Sequence, residues 1–321
     1  SDISYMSGMY PVPSPGVCGH EAAGVVAEVG NAVTHVQPGD HVIIATLAAC
    51  GFCQYCMDGR PTACRATLGN WSQPFTLNGD PIYNFAATSA FAEKTLVRDV
   101  QCVKIPKDVP LTSAALVGCG VVTGWGSSVY AAEVKPGDTV VVVGIGGIGA
   151  NAVQGARLAG AKRIIAVDPI EFKREKAMEF GATHTAASLA EAIPMVQQLT
   201  WGTMANKVIM TMGVGNGAMI GEAMAAVSKG GRVVVTNIHP LMEMTANISL
   251  LDLTLSEKQL VGSLFGSGNP RSDIPKLLGL FREGQLDLNG LVTREYALEE
   301  VNEGYRGMRE GENIRGVIVN D

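Results

Sequence analysis

Four cysteines fall within fifteen residues: Cys50, Cys53, Cys56 and Cys64. Thiolates at that spacing can wrap one tetrahedral zinc ion and leave no coordination position open, the mark of a structural site. A redox pair is the other reading, but the chain holds only seven cysteines, and four of them crowding one stretch favours metal. A second chemistry lies in Gly144-Ile145-Gly146-Gly147-Ile148-Gly149, which follows the apolar run Thr139-Val140-Val141-Val142-Val143. Gly-x-Gly-x-x-Gly after a strand and before a helix lets backbone amides approach a pyrophosphate at a helix N-terminus. Gly144 makes the turn, Gly146 lets the backbone come close, and Gly149 lets the helix pack on the sheet. The next apolar run, Ile164-Ile165-Ala166-Val167, ends in Asp168, nineteen residues past Gly149. An acid there accepts hydrogen bonds from ribose hydroxyls and repels a 2′-phosphate, which favours NAD over NADP. Lys173 could reach the same ribose or be an ordinary solvated helix lysine. Two dispersed signals remain: His20 beside Glu21, and Cys119 in Gly118-Cys119-Gly120-Val121-Val122-Thr123-Gly124. Each alone is a weak signal, more often core packing than a ligand.

These residues need a scaffold. From about 121 to 264 the pattern alternates strand and helix, with helices near 173–180, 188–199 and 218–227 and strands at 207–212 and 232–236, implying a doubly wound parallel sheet. Residues 1–120 read as mostly β: strands over 23–29, 41–44 and 89–97, the cysteine lobe at 50–64, a loop over 71–84 and a helical junction near 111–122. Residues 265–321 add helices at 274–283 and 298–308 and a last strand at 314–319, expected to return to the first domain. No internal repeat is visible.

The totals bound the class. At 321 residues the chain makes one large domain or two ordinary ones. It is 47% hydrophobic, without an apolar run long enough to span a bilayer, so it reads as soluble. A net charge of −6 with no basic cluster argues against nucleic acid as a partner. The absence of a signal peptide and the metal-like cysteine spacing imply a reducing, cytoplasmic setting. The chain opens at Ser1 without methionine and reads like the middle of a longer protein, with residues expected upstream.

Taken together, Ser1-Asp2, Gly-His-Glu-Ala-Ala-Gly at 19–24, the cysteine lobe, the Cys119 run, the glycine turn, Asp168 and Ile314-Arg315-Gly316 resemble the zinc-dependent medium-chain alcohol dehydrogenases along the whole chain. The resemblance implies a GroES-like, mostly β catalytic domain beside a Rossmann NAD-binding domain. It implies a catalytic zinc held by His20 and Cys119, with Glu21 near the metal and Ser1 hydrogen-bonding the alcohol oxygen. Thr123 would pack on the nicotinamide, Thr236, Asn237 and Ile238 would form the sheet edge around it, and Arg315 would pair with the pyrophosphate. Cofactors would be NAD and two zinc ions, the substrate a small alcohol or aldehyde, and the assembly a homodimer or homotetramer. The pocket would include Thr46 and Tyr10.

Departures matter. The family's first zinc ligand would fall two residues before Ser1, outside this sequence, and its proton-relay histidine would fall at Ser4. Cys18 could stand in as a ligand, though packing is its simpler role. Leu264-Phe265-Gly266-Ser267-Gly268-Asn269-Pro270, the run from Asp273 to Leu278, and Asn302-Glu303-Gly304-Tyr305 resemble the actinobacterial N,N-dimethyl-4-nitrosoaniline-dependent members, which implies NAD recycled in place by an external acceptor. The alternatives are a thiol-dependent formaldehyde dehydrogenase and a zinc-stapled dinucleotide-binding protein without hydride chemistry.

Overall fold

The computed structural model describes residues 1–9, 13–66 and 72–320. The chain divides into two units. Ser1–Val122, Gly268–Glu310 and Arg315–Asp321 form the first, and Thr123–Ser267 with Gly311–Ile314 form the second.

The second unit is built on six parallel strands, numbered here in chain order with the helices between them. They are β1 (Thr139–Val143), α1 (Gly147–Leu158), β2 (Arg163–Val167), α2 (Glu171–Glu179), β3 (His184–Ala186), α3 (Leu189–Leu199), β4 (Ala205–Met210), α4 (Gly217–Ala226), β5 (Val227–Val235), α5 (Leu250–Leu255) and β6 (Gln259–Gly262). Their order across the sheet is β3-β2-β1-β4-β5-β6. All five residues of β1 are buried, which its β-branched sequence tolerates because a central parallel strand is covered on both faces. Val141 lies opposite Ile165 on one side and Val208 on the other. Against that sheet pack Leu189, Ala192 and Val196 of α3 and Ile220, Ala223 and Met224 of α4. Ser188 caps α3 by accepting from the Glu191 amide, and Asn216 caps α4 by accepting from Ala218 and Met219. The chain runs outward from β1 to β3, then returns to lay β4 on the other side of β1. Such a reversal opens a crevice at the carboxyl ends of β1 and β4.

The first unit is assembled from short strands. Ala22–Val25, His41–Ile44 and Cys102–Lys104 make an antiparallel sheet, Gly16–Val17 pairs with Tyr83–Asn84, and Val292–Tyr296 pairs in parallel with Arg315–Ile318. Tyr5, Tyr83 and Phe85 form a small aromatic core.

Several expected elements differ. The stretch 89–97 is not a strand: its amides reach a neighbouring segment at Ala90 to Gly19 and Phe91 to Cys18, and no ladder continues. The expected loop at 71–84 carries a two-rung hairpin, Thr76–Leu77 with Asp80–Pro81, as well as the Tyr83–Asn84 strand, while Trp71 lies outside the described residues. The strand expected to reach Val29 stops at Val25, and β5 starts at Val227, five residues before the expected 232. A helix at Gly120–Gly126 continues as a π-helical turn, Ser127–Ala131. Among the described residues no single helix is long and apolar enough to cross a membrane.

Candidate active site

In the first unit, ligand atoms of His20, Glu21 and Cys119 lie within 4.8 Å of one another. His20 precedes the strand Ala22–Val25, and Cys119 follows a short helical turn, so the pair comes from positions about a hundred residues apart. Asp2 orients the imidazole: its Oδ2 lies 2.9 Å from Nδ1, and its Oδ1 accepts from the Gly19 amide at 2.6 Å. With Nδ1 engaged, Nε2 is left as the ligand atom. Burial works against a charged imidazole, but the bonds to Asp2 and Cys119 outweigh it and raise the metal-free His20 pKa to about 9. Burial likewise opposes the Asp2 carboxylate, yet His20 and Gly19 hold it down at about 2. Thr46 Oγ1 donates to the His20 carbonyl at 2.7 Å.

Glu21 is pinned from two sides. Its Oε1 accepts from the Gly120 amide at 2.6 Å, and its Oε2 pairs with Arg315. A side chain on Gly120 would collide with that carboxylate. The Arg315 guanidinium, expected on a pyrophosphate, pairs in this structure with Glu21. A cavity of about 550 Å³ in this unit reaches Asp2, His20, Glu21 and Arg315, with Phe91 and Leu116 among its apolar walls. Cys18 is not in the donor group. Burial first, then the Asp2 charge, pushes its thiol up to about 11, which fits packing beside Tyr305. Ser1 is exposed at the N-terminal edge of the helix Asp2–Met6, and Ser4 is buried within that helix. Tyr10 lies outside the described residues.

The four lobe cysteines also converge, with all sulfurs within 4.8 Å. Cys53 and Cys56 are 3.6 Å apart, as are Cys50 and Cys64, too far for disulfides. Burial opposes ionisation of Cys64, but the amides of Cys50 and Ala66 aim at its sulfur and lower it to about 6. Amides turned toward sulfur are what a thiolate ligand needs, so the lobe fits a zinc ion.

In the second unit the glycine turn has the shape its spacing implies. Gly144 adopts φ +91°, and a Cβ on it would sit 2.6 Å from the Met212 backbone. A Cβ on Gly149 would overlap the Gly144 carbonyl oxygen. Gly146, capping α1, faces open space within 4 Å, as a backbone that receives a ligand should. Gly147 and Ile148 begin α1, and Ile145 is fully buried. Asp168 closes the turn: its Oδ2 accepts from the Ile145 amide at 2.7 Å and its Oδ1 from Ile170 at 2.9 Å. Lys173 is half-buried on α2, and its neighbour Arg174 donates to the carbonyls of Asp168 and Pro169. Ser127 Oγ joins the Thr123 carbonyl to Thr236 Oγ1 at 2.7 and 2.8 Å. Asn237 Oδ1 is a buried acceptor without a hydrogen-bond partner, and Ile238 is partly exposed. The open face of Gly146 and the unmatched Asn237 oxygen fit a dinucleotide.

Asp2, Arg174 and Ser127 escaped the sequence reading as site residues. Only the contiguity of Ser1-Asp2 carried a signal, because the other two act through contacts that no short pattern encodes.

Known proteins share this fold. Residues 1–107 match the alcohol dehydrogenase GroES-like domain family and residues 147–283 the zinc-binding dehydrogenase family. The chain is 47% identical over 312 residues to an NDMA-dependent alcohol dehydrogenase of Amycolatopsis methanolica, covering 95% of this chain and 84% of that protein. It is 45% identical over 326 residues to a putative alcohol dehydrogenase D of Mycobacterium tuberculosis, covering 99% and 89%. Its structure resembles that of benzyl alcohol dehydrogenase from Acinetobacter calcoaceticus, with TM-score 0.90, 31% identity and 99% and 87% of the two chains covered. An α/β fold with this strand order, a four-thiol lobe and an imidazole–thiol pair define a zinc-dependent dehydrogenase. The chain belongs to the zinc-dependent medium-chain alcohol dehydrogenase family, with zinc and NAD as its cofactors.

Proposed function

We propose that the protein exchanges hydride between a small alcohol or aldehyde and NAD(H), with His20 and Cys119 as ligands of a catalytic zinc and Cys50, Cys53, Cys56 and Cys64 as ligands of a structural one. The observation that carries this reading is the convergence of His20, Glu21 and Cys119 while Asp2 holds the far side of the imidazole. When bound, the metal supplies the Lewis acidity that makes an alcohol acidic, and the nicotinamide supplies the hydride acceptor.

The chain's own groups do the positioning. Asp2 holds the proton on Nδ1 and keeps Nε2 a lone-pair donor. Arg315 and the Gly120 amide hold Glu21 beside the metal ligands without letting it swing freely. Ser1 offers the hydroxyl that relays the alcohol proton. Asp168 takes the ribose hydroxyls, the amides from Gly146 to Gly149 take the pyrophosphate, and Thr123, Thr236, Asn237 and Ile238 orient the nicotinamide. Lys173 lies one helical turn from the ribose acid.

The likeness to an NDMA-dependent relative supports a finer reading, in which NAD stays bound and an external acceptor reoxidises it in place. A second copy of the chain is the proposed partner. Leu250, Leu251 and Leu255 are 69–71% exposed on α5, the helix that leads into the edge strand β6, an apolar margin that an oligomer would cover. A cytoplasmic location suits four thiols kept as ligands.

The test is native mass spectrometry of the purified protein with a parallel assay of reduced nicotinamide absorbance. Two zinc ions per chain and an absorbance rise on adding alcohols are expected. One zinc ion and no reduction with any alcohol would instead make the chain a binding protein.

A further inference from the structure

The acid at the end of β2 is gripped by a cation that no motif points to. Arg174 lies six residues after Asp168, and its Nη1 donates to the Asp168 carbonyl at 2.8 Å and to the Pro169 carbonyl at 2.9 Å. Three donors thus hold one turn. The amides of Ile145 and Ile170 fix the two carboxylate oxygens, and the guanidinium fixes the carbonyls of Asp168 and Pro169. Asp168 is buried, while Arg174 is half-buried on α2. A guanidinium carries five N–H donors and stays charged at any working pH, so one nitrogen on two carbonyls leaves donors and charge to spare.

Acid and guanidinium have opposite preferences for what sits at the ribose. The carboxylate accepts from a 2′-hydroxyl and repels a 2′-phosphate. The guanidinium, bonded to the backbone carbonyls of the same turn, attracts that phosphate. We infer that Arg174 is a positioning and specificity-determining residue of the ribose site: it shapes the turn that aims Asp168, and it is the cation that receives a 2′-phosphate once the acid is removed. This rests on the reading of Asp168 as the ribose acceptor.

The test uses the full zinc-loaded chain and titrates NADH and NADPH by nicotinamide fluorescence. The variants are Asp168→Ser, Arg174→Gln, and the two combined. Glutamine keeps a donor for the carbonyls and removes the charge. Asp168→Ser should shift the NADPH-to-NADH affinity ratio toward NADPH by about tenfold or more, the worth of one charge-assisted hydrogen bond. The double variant should lose most of that shift, and Arg174→Gln alone should weaken NADH by a factor of about three. An arginine that merely stabilised the fold would weaken both nucleotides alike and leave the ratio unmoved. Should the glutamine variants fail to fold, Arg174→Lys in the Asp168→Ser background keeps the charge and should keep the shift. A ratio in the double variant equal to that of Asp168→Ser overturns the inference and spares the ribose reading. A ratio that Asp168→Ser itself leaves unchanged sinks the ribose reading and this inference with it.

Discussion

Two glycines three positions apart should fail in opposite ways. In Gly149→Ala the new methyl meets the Gly144 carbonyl oxygen, and it sits 2.9 Å from Thr211 Oγ1. Both obstacles are fixed, because Thr211 Oγ1 is itself bonded to the Val143 carbonyl at 3.0 Å and the Gly144 carbonyl at 2.6 Å. Overpacking of this kind costs about 3 kcal/mol when backbone must move, and alanine returns about 1 kcal/mol through helix propensity. The net loss of about 2 kcal/mol should lower the melting temperature by about 4 °C. In Gly146→Ala the methyl meets nothing within 4 Å, and φ −98° with ψ −161° suits any residue. A weaker helix cap is offset by a less flexible unfolded chain, so stability should move by less than about 0.5 kcal/mol. The methyl instead stands where a phosphate must approach, and losing one charge-assisted bond of about 2 kcal/mol weakens NADH about thirtyfold. Thermal melting by circular dichroism and NADH fluorescence titration separate the two effects. Gly146→Ala melting as low as Gly149→Ala while binding NADH normally would refute the assignment of their roles.

Two further outcomes follow from the first unit. Asp2→Asn removes the charge that holds His20, so zinc at the His20–Cys119 site should bind about 10- to 100-fold more weakly in a chelator competition, with lobe zinc unaffected. Asp40 is held below the usual carboxylate range first by its bond to Lys104, against partial burial, with the Gln37 amide adding to it. A lowered folded-state pKa means that its stabilisation is present above about pH 4 and fades as pH falls through the folded value. Asp40→Asn should therefore melt lower than the parent at pH 7 and converge with it as the pH falls through that folded value. A constant gap across that range would count against the pair.

The nucleotide unit was legible because its information is local. Strand β1, the glycine turn, β2 and Asp168 lie within thirty residues, and each constrains its neighbour through period and turn geometry. The cysteine lobe was legible for the same reason. What escaped was long-range or lacked a period. Glu21 meets Arg315 across nearly the whole chain. Ser127 reaches Thr236 over 109 residues. The alternation at 89–97 resembles a strand, yet no partner runs beside it for more than two residues, so pattern alone misleads there.

The interleaving of the two units sets an order for synthesis. The nucleotide unit is almost contiguous, so its sheet can close once β6 has emerged. The metal-binding unit waits for Arg315–Ile318 to join Val292–Tyr296, and Arg315 is also the residue that restrains Glu21. His20 and Cys119 thus leave the ribosome long before the arginine that completes their surroundings. The surroundings of His20 and Cys119 are therefore complete only after the last strand, Arg315–Ile318, has been translated.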